Sequence, residues 1–336
     1  MLASVVDFVL PVVPPFLCFW AFNLVCYMAS PSPTHSDDMK YTFVQHPSDF
    51  ARTLTRWWIL DSLVQRDQYW PLLFLIPLTI FETAICQYLY DRHEHVPTPD
   101  VTVQQILNCC RTSIVETCGV ILSLKLIPGV FAKIVPHSQE VHPLLSIICA
   151  KFSKPVVHAP PPTFVEVLQL LYLCPLFDLG LDLGFYTFHL TSHRNKYLFK
   201  MIHADHHTDT AKTHGRLVSY ETYTITWLET AIIFFCYTLG LGFCLLAQTP
   251  TFAPLTVFQL AALITWGHTV ELSGHTSSTW TPSCHPQRII FQILKLDLRV
   301  QHHTMHHERP LTNFSKRTTL YDRLFGTYKK PNDLAY

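Results

Sequence analysis

Long apolar stretches separated by polar segments run along the chain. Residues 8–28 contain no charged side chain, and because a helix of about 20 apolar residues crosses a bilayer, they predict a first membrane span. Three prolines interrupt this stretch and no basic segment precedes it, which favours an uncleaved span over a signal peptide. Residues 69–88 predict a second span, with aromatic side chains at both ends. A third stretch, residues 113–135, is interrupted by charges and is expected to cross the membrane or to lie along its surface.

Two polar segments divide the chain. Residues 29–68 are rich in polar side chains and are predicted to form a loop between spans, with a short amphipathic piece from Trp57. Residues 151–163 contain several prolines, which exclude a regular helix or a central strand. We therefore predict a membrane-anchoring region over residues 1–150, a proline-rich linker over 151–163 and a separate domain over 164–330.

The apolar segment 229–266 predicts a transmembrane hairpin. It is long enough to cross the bilayer and return, and residues 248–254, which include two prolines, mark the turn. A hairpin brings the residues on its two flanks to the same side of the membrane. Helices must carry these spans, because an unpaired backbone group in hydrocarbon costs several kcal/mol. The fold class that follows is an all-α, polytopic membrane helical bundle.

The composition narrows the class of protein. The chain is 49% apolar and only 14% charged, against roughly 25% charged residues in an ordinary soluble domain. Basic and acidic residues number 24 each and neither forms a run, so the sequence excludes a nucleic-acid-binding role. Eleven cysteines are scattered without regular spacing, which indicates buried thiols in a reducing environment rather than a disulfide framework.

Histidines carry the candidate chemistry. Thirteen of the twenty histidines lie between residues 189 and 307. Residues three and four apart share a face of a helix, so each block of closely spaced histidines directs several imidazoles at one point. A structural zinc ion takes four protein ligands and a catalytic one three, and the blocks supply more than one ion needs. We therefore predict a histidine-rich site for two metal ions. The candidate ligands in the blocks are His189, His193, His203, His206, His207, His302, His303, His306 and His307.

One face of a predicted helix, beginning near Phe164, joins the first block to other polar groups. Asp182 and Tyr186 lie four residues apart on this face, and His189 and His193 continue the same stripe. Metal-bound histidines usually donate their second ring N–H to a carboxylate or a carbonyl. Asp182 is therefore predicted to orient a ligand, and Asp182 and Tyr186 are the candidate catalytic side chains. The alternative for Asp182 is a polar residue that faces interfacial water.

Other histidines flank the blocks. His275 lies just after the hairpin and is predicted to be a further ligand. His268, two helical turns earlier, and His214, which follows the first block, stay open between metal ligand and ordinary side chain. His302 and His303 are adjacent and a helix directs them differently, so one is expected to bind metal and the other to contact a bound group.

The ligand set favours iron. Imidazole suits zinc, copper, iron and nickel, and the blocks contain no cysteine, which argues against an iron–sulfur cluster. A pair of ions in so apolar a chain has an evident task, the activation of O₂ to attack an unactivated C–H bond, which no side chain achieves alone. We therefore expect two iron ions.

The histidine spacing resembles that of the membrane-bound fatty acid hydroxylase superfamily. This superfamily includes sterol C-4 methyl oxidases, sterol C-5 desaturases, sphingoid-base C-4 hydroxylases and fatty acid 2-hydroxylases. The shared pattern is His-x3-His, His-x2-His-His, a hairpin, a further histidine region and His-His-x2-His-His, within residues 164–330. The other segments that share the pattern are residues 182–189, 196–203, 313–315 and 321–327.

The resemblance implies a non-haem di-iron oxidoreductase in the endoplasmic reticulum membrane, with a lipid substrate and a cytosolic-facing site. It also implies electrons passed from NAD(P)H through a reductase and cytochrome b5. The chain departs from the family at three places: Leu190 replaces a frequent arginine, residues 226–229 lack a histidine, and His275 replaces a tyrosine. The metal chemistry is therefore the part that transfers, and the third ligand region and the substrate stay open.

Three functions remain to be compared. The sequence favours an O₂-dependent hydroxylase or desaturase of a sterol or sterol-like lipid. A sphingoid-base or fatty-acyl hydroxylase is the alternative, because Asn313-Phe-Ser315 also occurs in that branch of the superfamily. A histidine-rich metal transporter is the alternative of another class, but a transport path places ionisable groups in the middle of several spans, whereas these histidines lie at span ends.

Overall fold

The computed structural model describes residues 36–65, 70–93, 101–115, 118, 164–207, 219–247, 255–276 and 286–331. These ranges are largely helical and contain no β-strand; an isolated bridge pairs Asp297 with Thr318. The all-α fold class predicted from the sequence is confirmed. The span predicted at residues 8–28, the linker at 151–163 and most of the stretch at 113–135 lie outside the described residues.

The helices are numbered in chain order and differ widely in length. They are α1 (Ser36–Gln65), α2 (Leu75–His93), α3 (residues 103–115), α4 (Phe164–Arg194), α5 (Trp227–Ala247), α6 (Val257–Gly274), α7 (Pro286–Ile293), α8 (Val300–Glu308) and α9 (Leu320–Leu324). Shorter helical turns are Trp70–Phe74, Lys196–Leu198, Phe199–His203 and Ser219–Tyr223. Thr256 begins α6 with a capping box, in which its side chain and that of Gln259 each accept the other residue's backbone N–H.

Three segments of the described ranges are long and apolar enough to cross a membrane: Pro71–Leu89, Phe164–Arg194 and Trp227–Ala247. The first agrees with the span predicted at residues 69–88, and the third is the first leg of the predicted hairpin. The second is α4, which begins where the sequence predicted a helix but was not predicted to span the membrane. Its 31 residues extend for about 45 Å at 1.5 Å per residue, so one helix can cross the bilayer and still carry the histidine stripe beyond it.

Helices α4 and α5 pack against each other with their backbones in close contact. A Cβ atom added at Gly180 would lie 2.7 Å from the carbonyl oxygen of Leu239, and one added at Gly240 would lie 2.7 Å from that of Phe177. Small residues at such crossings let helices approach closely in a membrane. Alanine at either position would therefore push the two spans apart.

Helix α6, the second leg of the predicted hairpin, is enclosed by other helices. Gln259, His268 and Glu271 make it more polar than a membrane span, and it is not among the candidate spans. Almost every side chain of α6 is buried, against α1, α2 and α4. The chain leaves the histidine region at Glu229, at the start of α5, and returns to it at His275, directly after α6.

Helix α1 replaces the loop predicted for residues 29–68, and that prediction is wrong over Ser36–Gln65. The helix packs along α6 and buries Arg52 and Arg56 almost completely. The polar composition indicated a loop because one segment alone does not reveal that its charges are neutralised inside the protein.

The groups that neutralise or hydrogen-bond these arginines come from α1 itself, α2 and α6. Arg56 donates to the carboxylate of Glu82 at 2.6 Å and to Nδ1 of His268 at 2.9 Å. Arg52 pairs with Asp49 and donates to the hydroxyl of Thr269. These contacts explain how a predicted span accommodates Glu82. They also join the predicted anchoring region to the histidine-bearing part, and the three-part division of the chain remains a prediction.

Candidate metal centre

The histidine blocks lie on elements that end at one place. His189 and His193 occupy the last turns of α4, after which the chain turns back through the short helical segments to residues 203–207. His275 directly follows α6, and the last block lies on α8. The hairpin of α5 and α6 thus closes a site whose parts are far apart in the sequence.

A first histidine group gathers ligand atoms that all lie within 4.8 Å of one another. Nε2 of His207 lies 3.1 Å from Nε2 of His203 and 3.3 Å from Nε2 of His306. The ring centroids of His189 and His306 are 4.3 Å apart. The members of the first histidine group are His189, His193, His203, His207 and His306.

A second histidine group satisfies the same 4.8 Å limit. Nε2 of His275 lies 3.2 Å from Nε2 of His206 and 3.0 Å from Nε2 of His303. Nε2 of His303 is in turn 3.2 Å from Nε2 of His307. The members of the second histidine group are His206, His275, His303 and His307.

Backbone carbonyls and one carboxylate accept hydrogen bonds from the outer ring nitrogens. Nδ1 of His189 donates to the carbonyl of Phe314 and Nδ1 of His306 to that of Thr312, both at 2.8 Å. Nδ1 of His275 donates to the carbonyl of Glu271 at 3.0 Å. Because a carbonyl oxygen only accepts, these contacts fix the proton on Nδ1 and leave Nε2 with a lone pair.

The inner nitrogens therefore fit metal ions better than they fit one another. A neutral imidazole has one N–H, so lone pairs of several Nε2 atoms about 3 Å apart repel unless a cation lies between them. Two nitrogens bound to the same ion at about 2.0–2.1 Å are separated by roughly 3 Å. Nε2 of His189 and of His193 are buried without a hydrogen-bond partner, as free ligand positions would be.

Burial keeps the imidazoles in the neutral form that metals bind. Desolvation by burial, together with neighbouring histidines, holds the pKa of His203, His206 and His303 well below its usual range. Burial also lowers the pKa of His207 and of His275 to about 4. Protons therefore compete little with metal at neutral pH.

The sequence model of the family described as Fatty acid hydroxylase matches residues 174–327, a range that contains both histidine groups. Residues 174–327, a little under half of the chain, are therefore similar to a fatty acid hydroxylase domain. The resemblance inferred from the histidine spacing is confirmed. No curated protein and no solved structure matches the chain. The family supports a membrane oxidoreductase of the lipid hydroxylase and desaturase superfamily.

Asp182 contacts the backbone of a later loop in the fatty acid hydroxylase domain. Its carboxylate accepts the N–H groups of Lys316 at 2.6 Å, Arg317 at 3.2 Å and Thr318 at 3.0 Å, and the hydroxyl of Thr318 at 2.9 Å. The sequence predicted a hydrogen bond from a histidine N–H to Asp182, but the structure gives its carboxylate these partners in the loop instead. Asp182 instead fixes the loop that carries the carbonyl bonded to His189.

Asp322 fixes the beginning of the same loop. Its carboxylate accepts the N–H groups of Phe314 at 2.8 Å and Ser315 at 2.9 Å, and the hydroxyl of Thr327 at 2.7 Å. We call residues 312–318 the clamp loop, because Asp322 and Asp182 hold it by consecutive backbone N–H groups. The motifs at residues 313–315 and 321–327 thus meet in space.

Tyr186 packs against the clamp loop and against residues 325–327. Its hydroxyl is 3.1 Å from that of Thr327, and its ring stacks on Phe325 with centroids 5.3 Å apart. The ring also meets Phe314 edge-on at 6.3 Å. Tyr186 is in neither histidine group, so a direct catalytic role remains only a prediction.

The remaining candidate histidines divide clearly. Nδ1 of His302 accepts the backbone N–H of Arg299 at 3.0 Å, which caps the start of α8, and His302 is in neither group. His268 belongs to the buried charge cluster with Arg56. His214 lies outside the described residues. The structure thus brings together every other predicted ligand, including His275.

Glu229 is the functional residue that the sequence argument missed. It is 2% exposed, and its carboxylate lies 2.6 Å from Nδ1 of His203. It is therefore the carboxylate partner that was predicted at Asp182. Its position as an acidic residue in the first turn of a very apolar helix was the available signal, since an ionisable group there is costly unless it is paired.

Proposed function

We propose that the chain is an O₂-dependent, non-haem di-iron enzyme that hydroxylates or desaturates a lipid within a membrane. The observation that carries this proposal is the convergence of two groups of buried or half-buried histidines, five and four in number, beside the ends of candidate spans. The match to the fatty acid hydroxylase family supports it independently.

Two iron ions held by the two groups would supply the O₂ activation that an unactivated C–H bond requires. Iron is proposed rather than zinc because zinc has no redox chemistry. Hydroxylation consumes one O₂, two electrons and two protons and releases one water. Desaturation consumes the same and releases two waters. We propose that NAD(P)H supplies the electrons through a reductase and cytochrome b5.

The residues of the chain prepare the site in two ways. The carbonyls of Thr312 and Phe314 and the carboxylate of Glu229 hold histidine rings in fixed orientations, which raises their basicity as ligands. Aromatic rings surround the first histidine group. The ring centroid of Phe185 lies 4.9 Å from that of His189, and that of Phe314 lies 5.5 Å from that of His193; such apolar surroundings would exclude water from the reacting region.

The substrate proposed is a sterol or sterol-like lipid that reaches the site from the bilayer. Spans α4 and α5 both end at the histidines. They also keep large apolar side chains exposed, among them Val165 at 61% and Phe235 at 59%. Exposed apolar side chains favour contact with the acyl chains of lipids, so a membrane substrate can approach along the same helices.

Charge supports a cytosolic site, in the endoplasmic reticulum membrane that the family resemblance implies. Arg194, at the end of α4, and Lys196 and Lys200, just after it, are exposed beside the histidines. Residues 248–254, at the opposite end of α5, contain no lysine or arginine. Because cytoplasmic loops carry the excess of basic residues, this asymmetry favours the histidine side as cytosolic.

The ionisable groups within the spans do not favour metal transport. Glu82 is paired with Arg56, and Asp182 is saturated by backbone N–H groups. A transport path needs ionisable groups that are available to cargo in the middle of the membrane. Among the described spans these carboxylates serve the fold instead.

Metal analysis and lipid profiling test the proposal together. The purified chain is expected to contain about two iron equivalents and not to exchange them rapidly. A deletion strain of the source organism is expected to accumulate a 4-methyl sterol or a sterol that lacks the C-5 double bond. Unhydroxylated ceramide or fatty acid would instead assign the alternative substrate class. A chain without iron, or one that carries metal across liposome membranes, would exclude the enzyme.

A further inference from the structure

Two carbonyl groups that flank Asn313 point at two histidines of the same group. Thr312 and Phe314 accept hydrogen bonds from Nδ1 of His306 and His189, each at 2.8 Å. Both histidines belong to the first histidine group. One residue thus separates the two backbone groups that orient these ligands.

Asn313 adopts a left-handed backbone conformation. Its φ is 54°. Residues other than glycine rarely adopt this left-handed conformation, and asparagine is among those that tolerate it best. The carbonyl of Thr312 lies in the peptide plane that joins Thr312 to Asn313. Rotation about the N–Cα bond of Asn313 therefore moves that carbonyl relative to the one of Phe314. The left-handed φ sets the angle between the two acceptors.

The side chain of Asn313 is held as firmly as its backbone. Its Oδ1 accepts the N–H of Lys329 at 2.8 Å, and its Nδ2 donates to the carbonyl of Lys329 at 3.0 Å. Its own N–H donates to the carbonyl of Thr327 at 3.1 Å. The side chain is 1% exposed. The side-chain amide thus makes two reciprocal hydrogen bonds with the backbone of Lys329, in the segment after α9.

We infer that Asn313 is a positioning residue for one metal ion of the pair, the ion held by the first histidine group. This inference rests on the proposed metal site. The second histidine group takes its known carbonyl contact from Glu271, on a different element. Asn313 reaches α8, which carries His303 and His307, by longer contacts: its Nδ2 lies 3.4 Å from the carbonyl oxygen of His302 and 3.6 Å from Sδ of Met305. A substitution that disturbs the turn at Asn313 is therefore expected to release the ion of the first histidine group and to leave the ion of the second group bound.

Two substitutions separate the conformation of Asn313 from its side-chain contacts. Asn313→Gly keeps access to the left-handed region but loses the amide pair, whereas Asn313→Ala loses the pair and disfavours the conformation. Affinity for the first ion is expected to fall in the order wild type, Gly, Ala. Lys295→Ala is the matched control, because Lys295 is the other non-glycine residue of the described ranges with positive φ, 55°, and contacts no histidine of either group.

Variants with one group already broken decide which ion is lost. In a His303→Ala background, which keeps the first histidine group, adding Asn313→Ala is expected to reduce iron from about one equivalent to near zero. In a His193→Ala background, adding the same change is expected to leave iron content as it was. Bound iron is measured together with helix content by circular dichroism, so that unfolding is recognised.

Several results would overturn the inference. Full retention of iron by Asn313→Ala in the His303→Ala background would do so, and so would equal loss in both backgrounds. If the alanine variant does not fold, bound iron is measured instead for the glycine variant in the same two backgrounds, and the same two outcomes would overturn the inference. Absence of iron from the wild-type chain would instead refute the proposed function.

Discussion

The two histidine groups are built from the same side chain but are supported differently. In the first group, outer nitrogens bond to the clamp loop and to Glu229, which belong to elements other than the ligands' own. In the second group, His275 bonds to the carbonyl of Glu271, one turn back along its own chain, and Nδ1 of His206 is buried without a hydrogen-bond partner. The number of imidazoles alone does not make two sites equivalent.

The second group also borders a small cavity. It has a volume of about 20 Å³ and is lined by His275, His303, Glu271 and Lys316, among others. A cavity of this size holds roughly one water molecule. The comparison therefore predicts a tightly held first ion and a second ion with looser, better hydrated surroundings.

Removal of one ligand from each group gives the largest effect. His306→Ala is expected to release the ion of the first group, and His303→Ala that of the second. Each change removes a ligand and is expected to lower metal affinity by more than the 10–100-fold cost of losing an outer hydrogen-bond partner. Iron analysis is expected to show about one equivalent in either variant, and lipid oxidation is expected to stop in both. Loss of both ions from either variant would mean that the groups form one indivisible site.

Glu229→Gln tests the support of the first group. The change keeps the size of the side chain but replaces the carboxyl group bonded to His203 with an amide, and outer partners of this kind typically change metal affinity or activity 10–100-fold. Competition with a chelator is expected to show that loss for one ion only. Asp205→Asn is the control, because Asp205 is exposed and adjoins His206 in sequence. Equal affinity of both ions in the Gln variant would contradict the comparison.

The pH dependence of the metal-free protein compares one histidine from each group. Burial lowers the pKa of His207 and His275 from 6.5 to about 4 in the folded chain. Between these values the unfolded chain binds more protons, so the free energy of unfolding falls as pH falls, by about 1.4 kcal/mol per pH unit for each proton. Below pH 4 these two histidines cause no further change.

Denaturant unfolding of the metal-stripped protein in detergent, from pH 7.5 to 4.5, measures this slope. His207→Gln and His275→Gln are each expected to flatten it by about one proton. An unchanged slope in one of the variants would show that its histidine is hydrated in the metal-free fold, and the two groups would then differ in solvation as well as in support.

Tyr186→Phe is expected to have the smallest effect of the four. It removes a hydroxyl that contacts Thr327 but keeps the ring against Phe314 and Phe325. A hydrogen bond of this kind contributes about 0.5–1.5 kcal/mol to folding, so we expect a modest fall in stability and both ions retained. Loss of turnover with both ions still bound would restore Tyr186 as a catalytic side chain.

Local spacing predicted much of this site, because ligands on one helix are neighbours by geometry. The stripe from Asp182 to His193 and the block on α8 are of this kind, and hydropathy predicted the first leg of the hairpin, which α5 forms. The carbonyls of Thr312 and Phe314 had no signature, since every residue carries one. Asp182 was predicted as a ligand partner because its helix face is right, but the loop that covers it comes from over 100 residues away in the sequence.

The buried contacts of α6 set where the protein can be divided. The family match begins at residue 174, yet Thr265, His268 and Thr269 on α6 are hydrogen-bonded to Arg52 and Arg56, far upstream. A chain begun at Phe164 would keep every histidine ligand but remove the hydrogen-bond partners of these three side chains. The packing of α6 therefore extends beyond the region recognisable by similarity, because α1 supplies hydrogen-bond partners to the helix that leads to His275.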